Sequence, residues 1–239
     1  MASSSPPVKD SKLFALAGST IRRTLAIGWR YLAIGTGMSV FLSLIFLLGK
    51  HSTTFVIIFP LEIPLFAVLG SMGGLVTFTS DRTKGVFEYL IAYGIRPRTL
   101  FADGLLSTAA MSAIILGLAL LVGLGAADSQ GVVLNYSLWK AIALYTVPMS
   151  FAGGLFISTI GMIWASLSTP RTGVNSPVGI APMFGVGPTI LVLVTAETAP
   201  ASEYYYITVG ASVAIIAVVV ALLALSARLM GRERFLSPL

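Results

Sequence analysis

The chain has 239 residues, 56% hydrophobic and only 10% charged, with a mean hydropathy of +0.93 and a formal net charge of +6. Soluble domains carry about 25% charged residues, so this composition excludes ordinary soluble enzymes and disordered proteins and leaves an integral membrane protein. With no cysteine and one histidine, His51, the ingredients for disulfides, thiolate or histidine-cluster metal sites and Ser-His-Asp triads are missing.

In chain order, residues 1–9 are rich in serine and proline and read as a disordered tail. Residues 10–30 follow a helical spacing. Lys12, Ser19, Arg22, Arg23 and Arg30 fall on one face, and Phe14, Ile21, Leu25 and Trp29 on the other. That pattern predicts a basic amphipathic helix lying at the headgroup level, with Trp29 and Tyr31 as anchors. The alternative is a simple extension of the first membrane span. No short apolar core stands near the start, so this segment does not read as a cleaved signal peptide.

A membrane span needs about 20 mostly apolar residues. Six stretches qualify, at 31–49, 54–79, 100–124, 139–167, 177–195 and 204–230. They are apolar all round, which rules out the alternating strands of an outer-membrane barrel. The fifth holds Pro182, Gly185, Gly187 and Pro188, which would break a straight helix. The expected fold is therefore an all-α, six-pass membrane domain over residues 31–230, followed by a tail at 231–239. Its orientation follows from the basic residues. With both termini inside, thirteen of the fifteen lysines and arginines lie on the inner side, and only Lys50 and Lys140 lie outside. The outer connections, 125–137 and 196–203, are short, and no extracellular domain is expected.

The second span carries the one acidic residue deep in a span, Glu62, between Pro60 and Pro64. Its depth is about 12 Å from Thr54 at 1.5 Å per residue. A charge there is costly. Either Glu62 lines a cavity or couples protons, or the prolines break the helix and leave it solvated at the interface. Asp103 begins the third span close to Arg96 and Arg98, which suggests a structural ion pair. Lys140 and His51 read as interfacial residues.

The segment between spans two and three holds more information than any other loop. Val86, Phe87, Leu90 and Ile91 fall on one side of a short helix over about 81–95, which Ser80 or Asp81 could cap and which Gly94 and Pro97 stop. Its apolar side needs a partner: lipid, its own bundle or another protein. Elsewhere the chain holds no Gly-x-x-x-x-Gly-Lys phosphate loop, no Gly-x-Ser-x-Gly elbow, no His-Glu-x-x-His and no potassium filter, so catalytic and metal-ligating residues are expected to be absent.

At this loop the sequence resembles the membrane subunits of type-2 ABC exporters. That family commonly reads Glu-Arg-x-x-Gly-Thr-Leu-Glu-x-Leu-Leu after span two, then a proline-containing turn. Here Asp81-Arg82-Thr83-Lys84-Gly85-Val86-Phe87-Glu88-Tyr89-Leu90-Ile91 follows the same order. Arg82, Gly85, Glu88 and Leu90 match in type. Asp81 replaces Glu, Val86 replaces Thr, the proline comes late, and Asp103 stands where a Gly-Lys pair is frequent. The motif covers about a dozen residues, while the six-span order covers the chain.

The resemblance implies a plasma-membrane permease subunit that is not itself an enzyme. The loop helix would be a coupling helix gripped by a separate cytoplasmic ATPase, which would hold the ATP and magnesium. Phe87, Leu90 and Ile91 would form the buried contact, with Arg82, Lys84 and Glu88 around it and Gly85 at the turn. A second membrane subunit, identical or different, would complete the route, and no nucleic acid would be involved. The competing expectation is an ATP-independent transporter or channel subunit coupled through Glu62.

Overall fold

The computed structural model describes residues 10–48, 52–167 and 201–229. Its elements are α1 (Asp10–Leu48), α2 (Ser52–Thr83), α3 (Val86–Ala92), α4 (Pro97–Ser129), α5 (Tyr136–Ala141), a π-helical stretch (Ile142–Thr146), α6 (Val147–Leu167) and α7 (Ala201–Leu229). Among the described residues there is no strand, and five helical stretches are long and apolar enough to cross a membrane. The expected fifth span at 177–195, both tails, Lys50, His51 and Arg171 lie outside the described residues.

The packing of α1 is the reverse of that in a water-soluble bundle. Along α1 the buried positions are Thr20, Thr24, Gly28, Gly35, Ser39, Ser43 and, near the end, Leu47, while Ile27, Trp29, Ile34, Met38, Phe41 and Ile45 point outward. Lipid tails accept large aliphatic side chains, so helices in a bilayer gain more by burying small residues that let backbones approach. Gly28 shows why. A Cβ placed there would stand 2.8 Å from the Cα of Gly73 on α2. α1 also has no break near residue 30. The segment expected to lie flat is continuous with the first span, and its inward stripe is Thr20, Thr24 and Gly28, neither of the two faces read from the sequence.

α2 is the central helix, packed on α1, α4 and α6. It runs unbroken through Pro60 and Pro64. Pro64 has no N–H, so the carbonyl of Pro60 loses its helical donor. Thr146, in the π-helical stretch, supplies one at 2.8 Å. Neighbouring hydroxyls commonly rescue proline-freed carbonyls inside membranes.

Two large apolar clusters fill the bundle, with a smaller third of Leu61, Tyr145 and Met149. One of the large two lies at the α3 end, with Leu75, Phe78, Leu100, Phe101, Ile157 and Met162. The other lies at the opposite end, with Phe55, Phe59, Ile63, Leu116, Leu138 and Ile142.

Candidate functional site

α3 forms between the ends of α2 and α4, as its residue spacing predicts. The capping differs. α2 extends to Thr83, so Ser80 and Asp81 are spent in its last turn, and α3 starts from Gly85 with no side-chain cap. Gly85 sits at φ +72°, where a side chain would be strained. The predicted stop is present. Gly94 adopts φ +89°, Ile95 N–H donates to the Leu90 carbonyl at 3.1 Å, and Pro97 opens α4.

The apolar side of α3 turns into the chain's own bundle. Phe87 and Ile91 are only 4% and 3% exposed, and the Phe87 ring meets Phe78 edge-on at 4.8 Å. Leu90 is half-buried against the same cluster. A seven-residue helix cannot stand alone, and the open end of α2, α4 and α6 offers it a floor. Phe87 and Ile91 are therefore anchors to the chain's own bundle, one of the partners open to this face, where the resemblance has them buried against an ATPase. Arg82 is buried as well, close enough to Glu88 to feel its charge, while Lys84 is exposed.

What α3 presents outward is a pair of tyrosines. Tyr89 is 60% exposed and Tyr93 72%, with ring centroids 4.6 Å apart. A side-chain hydrogen bond to Tyr93 pushes the Tyr89 phenol up from its ordinary value. Exposed Arg96 and Arg98 follow. The sequence reading passed over these tyrosines. Their i, i+4 spacing was the available signal.

α1 is tied to both ends of the α3 insertion. Arg23 forms an ion pair with Asp81 in the last turn of α2. Thr20 donates to Asp103 Oδ2 in α4 at 2.6 Å, and Arg23 also acts on that carboxylate. A small cavity lined by Thr20, Thr77, Asp81, Phe87 and Asp103 lies between these groups. Asp103 was expected to pair with Arg96 or Arg98. It faces α1 instead, because a residue nearly two turns into α4 already points into the bundle while the two arginines stay on the surface.

Glu62 lies about 15 Å along α2 from Ser52 and is 2% exposed. Since α2 passes through both prolines, the solvated-interface alternative does not hold. Ser43 Oγ is 2.6 Å from Glu62 Oε1, and Oε2 has no hydrogen-bond partner among the described residues. Among the described residues no group of three His, Cys, Asp or Glu side chains could hold a metal ion.

The described residues are helical, with five stretches long and apolar enough to span a membrane, which defines a membrane-spanning class of protein. No family model, no curated protein and no solved structure matches the chain.

Proposed function

We propose that the chain is the membrane subunit of an ABC transporter of the type-2 exporter class. In this reading it sits in the plasma membrane with both termini inside, pairs with a second membrane subunit, and is driven by a separate cytoplasmic ATPase. α3 is the coupling helix. The observation that carries the reading is the two-sidedness of α3. Its inner side is locked to the bundle by Phe87 and Ile91, and its outer side offers Tyr89 and Tyr93 between basic flanks.

The mechanical argument is simple. A helix that passes a partner's motion to the spans has to be stiffly joined to them and free on its other side. α3 is joined to α2 and α4 through the chain itself and through the Phe78–Phe87 contact, and the Arg23–Asp81 pair links α1 to the same corner. Nucleotide-driven movement of the ATPase then displaces the span ends as a rigid body. Exposed tyrosines suit such an interface, because each brings a large contact area at little entropic cost.

The test is purification of the tagged full chain from its native membranes, with its partners identified and ATP hydrolysis measured. An ATP-binding subunit in stoichiometric amount is expected. Tyr89→Ala with Tyr93→Ala should release it or uncouple its activity while the chain still inserts. A chain that carries no ATPase, or whose ATPase activity and association ignore this double substitution, overturns the reading.

A further inference from the structure

We propose that Glu62 is a proton-binding site inside the membrane domain: its carboxyl carries a hydrogen that it donates to Ser43, and Ser43 donates in turn to the Ser39 carbonyl.

Burial carries the argument, and the hydrogen count agrees with it. Ser43 Oγ stands 2.6 Å from Glu62 Oε1 and 2.8 Å from the Ser39 carbonyl oxygen. Both are acceptors when the carboxyl is ionised, and a serine hydroxyl has one hydrogen to give. A hydrogen on Glu62 completes the chain. Glu62 then donates to Ser43, Ser43 donates to Ser39, and each contact has its own proton.

Among the described residues, compensation for a charge is also missing. An ionised Glu62, 2% exposed, would hold a full charge against one neutral hydroxyl, with Oε2 bonded to none of them. Burying a carboxylate on those terms costs far more than keeping it neutral. The charged and titratable groups of the packed elements do not relieve it. On α1 and α2 the basic and acidic residues Arg22, Arg23, Arg30, Asp81 and Arg82 gather toward the α3 end. Arg30 is about 20 Å along α1 from Ser43. On α4, Asp103 is at that same end and Asp128 in the last turn. α5 brings Lys140, the π-helical stretch Tyr145, and α7 Tyr206. The hydrogen-bond partner of Glu62 among the described residues is Ser43.

The place of the site in the fold gives the proton a consequence. Ser43 and Glu62 join α1 to α2 where α2 carries its two prolines, and Thr146 grips that stretch from the other side through Pro60. Loss of the proton would leave a bare charge at the α1–α2 crossing, so α1 would have to part from α2 there and admit water. The assignment is independent of how transport is energised.

Infrared spectroscopy of the full chain in lipid vesicles tests it. At neutral pH the wild type should show a protonated-carboxyl C=O band that shifts in D₂O and is missing from Glu62→Gln. Ser43→Ala should move that band to higher frequency, because the acid loses its acceptor. If Glu62→Gln and wild type match in this region, Glu62 is ionised and the proposal fails. It fails equally if the band disappears in Asp103→Asn instead, or is indifferent to Ser43→Ala. Should Glu62→Gln not fold, ¹³C-carboxyl labelling of glutamate in the wild type reads the same protonation state by solid-state NMR. A full set of ionised glutamate signals there would overturn it.

Discussion

Thr146 donates its hydroxyl hydrogen to the carbonyl of Pro60, a residue 86 positions earlier, at 2.8 Å. The donor sits in a π-helical stretch and the acceptor in a helix deprived of an amide by Pro64, so two local irregularities satisfy each other. Thr146→Val keeps the shape and removes the donor. It should lower stability by about 1 kcal/mol, within the spread for interhelical hydrogen bonds in membranes. Thr146→Ser should sit closer to wild type. Unfolding in mixed micelles measures both, and a valine variant as stable as wild type would remove this contact from the account.

Two glycines of the same helix should behave in opposite ways. A Cβ on Gly28 meets the Gly73 backbone, whereas a Cβ on Gly37 meets nothing within 4 Å. Gly28→Ala should cost about 1–3 kcal/mol, as overpacking does. Gly37→Ala should gain up to about 1 kcal/mol from helix propensity. Equal effects in the unfolding assay would mean that α1 and α2 do not cross at Gly28.

On α3 the inner and outer aromatics separate stability from partnership. Phe87→Ala should cost about 3–5 kcal/mol, the usual range for emptying a buried phenylalanine site. Tyr89→Ala and Tyr93→Ala should each stay within about 0.5 kcal/mol of wild type, as exposed substitutions do. Thermal unfolding of the isolated chain in detergent reads these values, and an order reversed between Phe87 and the tyrosines would turn α3 inside out.

Arg23 and Asp81 make an asymmetric pair, since the aspartate side chain is 9% exposed and the arginine side chain 44%. Arg23→Ala strands a buried carboxylate and should cost about 1–3 kcal/mol. Asp81→Ala leaves an arginine that reaches water and should cost less. The double variant should resemble Asp81→Ala, because the stranded charge has gone. A double-mutant cycle with additive losses would show that the two side chains do not interact.

Sequence alone determined the class of protein and the positions of most spans, because long runs of apolar residues with almost no charge have only one favourable environment. It also located α3, through the spacing of Phe87, Leu90 and Ile91 and the stop at Gly94 and Pro97. Which side of each helix faces inward was decided only in the tertiary structure. In water an apolar stripe marks the core, but in lipid both faces are apolar, and the interior of α1 is marked by Thr20, Gly28, Ser39 and Ser43 instead. For the same reason the fates of Asp81, Asp103 and Glu62 were out of reach. Each is settled by a partner on α1, Arg23, Thr20 or Ser43, brought near by a helix crossing that glycine makes close, and no local spacing encodes that.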